Sequence, residues 1–187
     1  MENLTAEELN NLPKEETTYN KWIRLIYLII CAVCVAIIIF HVVLSPVYID
    51  GNSMEPTLMD GDTCYINKFA YLISPPKRYD IVVFAKENTK TTYVKRVYGL
   101  PGETIVIDDE GHILINGEVI EDPYGFGDTY AFSDNTICTL GEGEYFVLGD
   151  NREHSADSRQ TWMGIGTVKK SEIKGKQAIR FNTKKSH

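Results

Sequence analysis

The hydrophobic pattern begins with an uncharged apolar stretch. Residues 25–44 (LIYLIICAVCVAIIIFHVVL) carry no formally charged side chain, and about twenty apolar residues in a helix cross the ~30 Å hydrocarbon core of a bilayer. A helix that is apolar on every side is typical of a membrane span rather than of the core of a small domain. A cleavable signal peptide is the competing interpretation, but its apolar region is shorter, about 7–15 residues, and ends at an A-x-A-like site. The following SPVYIDGNS has no such site, so the pattern predicts a transmembrane helix.

The charges on either side of the apolar stretch predict its orientation. Three basic residues precede it, namely Lys14, Lys21 and Arg24. The first basic residue that follows it is Lys68. Because lysine and arginine accumulate on the cytoplasmic side of a span, we expect residues 1–24 to form a cytoplasmic segment. Residues 45–187 then form a domain outside the cytoplasm.

Beyond the apolar stretch, the pattern changes to short runs of β-branched and aromatic residues. Gly, Pro, Asn and Asp separate these runs, as is typical of strands that are joined by turns. The runs are YIDG, TCYINKF, YDIVVFA, TTYVKRVYG, ETIVID, HILING and EYFVLGD. Asn116 and Gly117 stand between two apolar runs and predict a two-residue β-hairpin turn. The pattern therefore predicts a mainly β domain after one membrane-spanning helix.

Composition and charge exclude several classes of function. The 187 residues are 43% hydrophobic, which is too apolar for a disordered chain and allows one domain of ordinary size. The net charge of −7 argues against binding to nucleic acid, which needs a basic surface. The histidines after the apolar stretch, His112, His154 and His187, show no metal-ligand spacing such as H-x-x-x-H. We therefore expect no nucleic-acid partner, no metal and no cofactor.

The 4 cysteines leave one question open. Cys31 and Cys34 form a C-x-x-C inside the apolar stretch, where the βαβ context of a redox motif is absent, and we interpret them as helix-packing or lipid-facing residues. Cys64 and Cys138 lie in strand-like runs. They are either two buried thiols or a disulfide formed in an oxidising compartment.

A serine activated by a base other than histidine is the remaining candidate for chemistry. The chain has no G-x-S-x-G elbow, which is the usual context of a histidine-activated serine in α/β-hydrolases. The segment GNSMEPTL places Ser53 shortly after the apolar stretch, between a turn-prone Gly51-Asn52 pair and Met54. The alternative is that Ser53 is an ordinary turn residue without a chemical role.

The candidate base is Lys95, in the run TTYVKRVYG. Successive strand residues point to opposite faces, so either Lys95 or Arg96 faces the interior. A buried lysine has a lowered pKa, and as a neutral amine it can take the proton of a serine hydroxyl. The alternative is a pair of solvated strand charges.

Four segments in a fixed order resemble the sequence boxes of type I bacterial signal peptidases. These segments are GNSMEPTL, GDTCYINKFAY, YDIVVF leading into YVKRVYGLPGE, and FVLGDNREHSADSR. The resemblance extends over residues 25–181, and the short interval between Lys95 and Gly149 is similar to the compact form of Gram-positive bacteria. It implies a domain of antiparallel sheets that removes signal peptides from exported preproteins outside the cytoplasmic membrane.

The resemblance also implies roles for individual residues. Ser53 is the expected nucleophile, and Lys95 the general base for acylation and, through a water, for deacylation. Ser155 matches the position whose hydroxyl binds and orients the lysine amine. Two supporting ion pairs are expected, Asp157 with Arg159 and Asp150 with Arg96.

The oxyanion hole departs from part of the family. The backbone N–H of Ser53 is the main expected donor, but Gly51 stands where some members have a serine whose hydroxyl is the second donor. The second donor therefore stays open, although one such donor contributes about 10²–10³ in rate.

Substrate recognition is expected at shallow apolar pockets for the residues one and three before the cut. By their position in the matched segments, the lining residues are Ile49, Met54, Leu58, Val82, Tyr93 and Val94. Each also fits a plain core role. The preprotein is expected to bind extended along a strand edge, and an apolar surface near Ser53 would contact the lipid bilayer. We expect a monomer.

Three rival functions remain at this point. The first is a non-catalytic relative that acts in pilus assembly and lacks the lysine base, which the presence of Lys95 disfavours. The second is a self-cleaving Ser-Lys repressor, disfavoured by the predicted span. The third is a hydrolase that uses His154 as its base.

Overall fold

A computed structural model describes residues 18–87, 89, 91–130, 137–160 and 165–181. The chain divides between Val42 and Val43 into two compact units. Helix α1 (Thr18–Val43) belongs to the first unit except for its last residue, and Tyr19–Val43 is long and apolar enough to cross a membrane. The helix begins before the expected residue 25 because TYNKWIR contains neither Gly nor Pro to end it. Most of the expected cytoplasmic segment lies outside the described residues.

The second unit is mainly β, as predicted, and its paired strands are antiparallel. Its strands are β1 (Leu44–Tyr48), β2 (Thr63–Asn67), β3 (Ile81–Ala85), β4 (Thr92–Gly99), β5 (Thr104–Ile107), β6 (Ile113–Ile115), β7 (Glu118–Val119), β8 (Ile137–Thr139), β9 (Glu144–Leu148), β10 (Val168–Lys169) and β11 (Ile173–Phe181). Helix α2 (Ala70–Ile73) and a 3₁₀ turn (Lys170–Glu172) complete the unit. A 7-stranded sheet has the order β1-β2-β11-β3-β4-β9-β10, and a 4-stranded sheet the order β7-β6-β5-β8.

Several strands differ from the sequence-based prediction, and β10, for example, falls in none of the predicted runs. The run YIDG is not a strand beyond Tyr48, because Gly51 adopts a φ of 101° and the chain turns there. Strand β11 was not predicted, since its lysines and arginine hide the alternating pattern. It forms because β2 and β3 pair with it on both sides, while Lys176 and Arg180 form ion pairs with Asp80 and Asp62.

The predicted hairpin at Asn116 and Gly117 is confirmed. Their φ angles are 53° and 87°, as a type I′ turn requires. Leu114 and Ile115 of β6 pair with residues of β7 on the other side of this turn.

The cysteines of the second unit are free thiols in different sheets. Cys64 is buried in β2, whereas Cys138 is half-buried in β8. Burial raises the pKa of both thiols. The structure therefore favours two separate thiols over a disulfide.

Gly99 lies where the core of the 4-stranded sheet packs against β4. A Cβ at this position would lie 2.7 Å from Ile105 Cδ1, 2.7 Å from Leu140 Cδ1 and 2.8 Å from Phe146 Cβ. The first two atoms are side-chain ends, but Phe146 Cβ moves only with its backbone.

We expect Gly99→Ala to lower the free energy of unfolding by about 1–3 kcal/mol, since the added methyl overpacks this junction. Denaturant unfolding of the detergent-solubilised chain measures the change. Gly141→Ala is the matched control, because its Cβ would meet only the flexible Glu144 side chain, at 3.2 Å. The control should stay within about 0.5 kcal/mol of the wild type, and equal effects of the two substitutions would contradict the packing argument.

Candidate active site

Ser53 lies in the turn that connects β1 to β2. The turn is held from both sides: Gly51 N–H donates to Asp60 Oδ1 at 2.8 Å, and Leu58 N–H donates to Met54 O at 2.8 Å. Met54 and Leu58 are each 1% exposed, so the turn is anchored by apolar side chains beneath it. This anchoring leaves Ser53 on the surface of a rigid turn.

The loop after β9 holds the same turn from the other side. Asn151 N–H donates to Ser53 O at 3.1 Å, and Asn151 Nδ2 donates to Asn52 O at 3.2 Å. A Cβ on Gly149 would collide with Ser155 Oγ and lie 2.5 Å from Ser53 O. Asn151 and Gly149 were not singled out from the sequence, although both stand in the segment FVLGDNREHSADSR. Only a residue without a side chain at position 149 permits this packing.

Lys95, in β4, directs its amine at the turn that contains Ser53. Its Nζ donates to Ser53 Oγ at 2.6 Å and to Val94 O at 3.0 Å. Lys95 is 3% exposed, and burial lowers its pKa from 10.5 to about 8 even though Asp157 and Asp150 act in the opposite direction. The amine is therefore within proton-transfer distance of a serine hydroxyl and loses its own proton readily.

Arg96 is buried as well, on the opposite face of β4. It forms a bidentate ion pair with Asp150, in which Nε lies 2.9 Å from Oδ1 and Nη2 lies 2.6 Å from Oδ2. The guanidinium also lies 3.7 Å from the centroid of the Tyr124 ring. The sequence predicted that one of the two basic residues faces the interior, and the structure buries both because each has its own polar partners.

Asp157 and Arg159 form a second buried ion pair, which closes the loop after β9. Arg159 Nε lies 2.8 Å from Asp157 Oδ1, and Arg159 Nη2 donates to Arg152 O at 2.6 Å. Asp157 Oδ2 in turn accepts from Gly149 N–H at 3.0 Å. The pair thus fixes the loop on which Gly149 and Asn151 lie.

Ser155 is buried in this loop, but its predicted hydrogen bond to Lys95 is not formed. Ser155 Oγ has no hydrogen-bond partner among the described residues. The reason is that Lys95 Nζ is directed instead toward Ser53 Oγ and Val94 O.

The backbone around Ser53 limits the oxyanion donors. Within the part of the chain that the structure describes, no acceptor is recorded for Ser53 N–H, so this donor is available to a ligand. Gly51 N–H is not available, because it is bound to Asp60. Residue 51 therefore offers a ligand neither a hydroxyl, since it is glycine, nor a free N–H.

A cavity of about 350 Å³ opens at Ser53 and Lys95. Four of the predicted pocket residues line it, namely Ile49, Met54, Tyr93 and Val94. Leu58 and Val82 do not; they are 1% and 0% exposed and pack in the core behind the wall. Additional lining residues include Val47, Tyr48, Thr92, His154 and Ala156.

One wall of the cavity offers a strand edge that pairs with no other strand among the described residues. Residues 92–95 of β4 pair with β3, whereas the recorded pairing of β4 with β9 begins only at Arg96. An extended peptide could therefore pair with this edge beside Ser53.

His154 lies on the cavity wall without a contact to Ser53 among the recorded hydrogen bonds. Its Nδ1 lies 3.3 Å from Asn151 Oδ1. Over residues 18–87, 89, 91–130, 137–160 and 165–181, no group of three His, Cys, Asp or Glu side chains converges as metal ligands would.

Comparison with known proteins gives consistent matches. Residues 22–182 match the family model described as signal peptidase, peptidase S26. Signal peptidase I T of Bacillus subtilis (strain 168) is 35% identical over 176 residues, which cover 90% of this chain and 88% of that protein. Signal peptidase I of Bacillus caldolyticus is 38% identical over 162 residues, or 80% of this chain and 86% of that protein.

A solved structure is similar as well. The crystal structure of a signal peptidase I from Enterococcus faecalis V583 shares 31% sequence identity and has a TM-score of 0.46, covering 56% of this chain and 98% of that one. The family model matches most of the chain, and the relatives are similar along most of their length. The chain belongs to the signal peptidase family, peptidase S26, and is a serine endopeptidase.

Proposed function

We propose that this signal peptidase cleaves exported preproteins through a Ser53–Lys95 dyad. The observation that carries the proposal is the buried amine of Lys95, which lies 2.6 Å from Ser53 Oγ. No second base competes for this hydroxyl among the described residues, because the recorded contact of His154 is to Asn151.

The reaction begins when the neutral Lys95 amine takes the proton of Ser53 Oγ, which attacks the scissile carbonyl carbon. Ser53 N–H donates to the oxyanion of the tetrahedral intermediate. The intermediate collapses as the Lys95 ammonium gives its proton to the leaving amine, and the mature protein departs. A water deprotonated by Lys95 then hydrolyses the ester between Ser53 and the signal peptide.

The two buried ion pairs and Ser155 keep the Lys95 amine neutral and in place. The Arg96–Asp150 pair fixes β4 from its far face, and the Asp157–Arg159 pair fixes the loop beside the dyad. Ser155 has a buried hydroxyl without a recorded partner, so it can accept a hydrogen bond from the ammonium that forms during the reaction.

The substrate is proposed to bind as an extended strand along residues 92–95 of β4. The side chains on either side of the cut would then contact the apolar wall that Ile49, Met54, Tyr93 and Val94 contribute. We propose small side chains at these positions, as in an A-x-A site. Leu58 and Val82 would shape this wall from behind.

The enzyme is proposed to be a single-pass membrane protein with its N-terminus in the cytoplasm. The support is the apolar helix Tyr19–Val43 together with the basic residues that precede it. We also propose that it acts as a monomer, because one chain contains both members of the dyad.

Replacing either member of the dyad should abolish cleavage. We expect Ser53→Ala and Lys95→Met to lower kcat/KM for a preprotein with an A-x-A site by roughly 10³-fold or more. Lys95→Met should stay folded at pH 7, because methionine removes the desolvation cost of a buried amine. Ser74→Ala and Lys174→Met change exposed residues and should leave kcat/KM unchanged. Cleavage by folded Lys95→Met would show that the base lies elsewhere.

The pH dependence of cleavage should follow the titration of Lys95. Because the neutral amine is the active form, kcat/KM should rise about tenfold per pH unit below the lysine pKa of about 8 and level off above it. Initial rates between pH 6 and 9.5 test this expectation. His154→Ala should keep the same profile, and a loss of activity in His154→Ala together with retained activity in Lys95→Met would assign the base to histidine.

Protease accessibility should reveal the orientation. In intact spheroplasts carrying the full chain, an epitope added after His187 should be digested by external protease, because we place this end outside. An epitope added before Met1 should be protected until the membrane is lysed. The reverse pattern would overturn the proposed orientation.

A further inference from the structure

A second surface of the domain, which we call the α2 surface, combines exposed apolar side chains with lysines. In α2, Leu72 is 76% exposed and Ile73 is 95% exposed, and Phe69 directly before the helix is 41% exposed. A cleft of about 550 Å³ opens beside them. Its lining includes Lys68, Tyr71, Leu72, Lys170, Ser171 and Ile173. None of these residues takes part in the proposed reaction.

The cleft is electropositive, although the chain as a whole carries a net charge of −7. Lys68 and Lys170 line it, and no carboxylate is among its described lining residues. The nearby acids are already neutralised: Asp80 binds Lys176 at 2.5 Å, and Glu172 binds Lys86 at 3.0 Å. An anionic ligand would therefore meet two lysines without a competing acid.

The position of this surface along the chain points to its occupant. Lys68 N–H donates to Val43 O at 3.1 Å, and Val43 is the last residue of the apolar helix Tyr19–Val43. The cleft thus adjoins the residue at which the chain passes from the apolar helix into the domain. By covalent connectivity alone, this corner of the domain lies close to a membrane interface.

We infer that the α2 surface docks on the anionic interface of a phospholipid bilayer. Leu72 and Ile73 enter the boundary between headgroups and acyl chains, where exposed apolar side chains are removed from water. Lys68 and Lys170 bind headgroup phosphates, while their aliphatic stems lie against the apolar residues of the cleft. A purely electrostatic partner such as nucleic acid would leave Leu72 and Ile73 in water. This inference does not depend on the roles of Ser53 and Lys95.

Hydrogen–deuterium exchange of the full chain in nanodiscs tests the inference without using activity. Exchange of residues 68–76 is compared between nanodiscs of phosphatidylcholine and nanodiscs that also contain phosphatidylglycerol. We expect slower exchange in the anionic nanodiscs. Lys68→Ala/Lys170→Ala should weaken docking roughly 30-fold, as expected for two lysines at an anionic surface. Leu72→Ser/Ile73→Ser should remove the protection as well.

A control variant makes the same change in net charge at a site distant from the α2 surface. Val119→Glu/Ile137→Glu lowers the net charge equally at two exposed apolar residues of the 4-stranded sheet, and it should keep the full protection. Equal exchange in both kinds of nanodisc, or an equal loss in the control, would overturn the inference. Protection by inorganic phosphate in detergent without phosphatidylglycerol would also overturn it, since the cleft would then be a site for free anions.

Discussion

The burial of the Lys95 amine is the constraint around which this domain is organised. Burial of an ammonium is unfavourable by several kcal/mol, and this cost lowers the pKa of Lys95 to about 8. Two carboxylates nearby, Asp150 and Asp157, would cancel the effect if they stood alone. Each is instead bound to an arginine, so the negative charge that could hold the proton on the lysine is compensated.

The same constraint explains why the ion pairs are buried. Exposed ion pairs contribute little to stability and rearrange easily, whereas Asp157 and Arg159 have fully buried side chains. These pairs fix the loop after β9, and Asn151 in that loop binds the backbone of Ser53. The positions of Lys95 and Ser53 are therefore set by one connected polar network, which spans β4, β9 and the turn after β1.

The sequence predicted the parts of this arrangement that depend on local patterns. The Asn116-Gly117 turn and the β-branched strands were found because their side chains encode the local backbone. The pairing of Ser53 with Lys95 was predicted because four ordered segments resemble those of type I signal peptidases. Strand β11 was missed because it is defined by its neighbours and not by alternation. Leu58 and Val82 were placed on the pocket because sequence order does not show which side of a wall an apolar side chain occupies.

The order of the 7-stranded sheet has a consequence for biosynthesis. Strand β11 lies between β2 and β3, so strands that appear early in synthesis become joined only when residues 173–181 arrive. The contacts it makes are among the most distant in sequence, and pairing of distant segments is slow because loop-closure entropy opposes it. Because synthesis proceeds from the N-terminus, Ser53 and Lys95 are both made long before the strand that lies between β2 and β3. A newly made chain therefore does not hold Ser53 and Lys95 in a completed 7-stranded sheet until residues 173–181 have been synthesised.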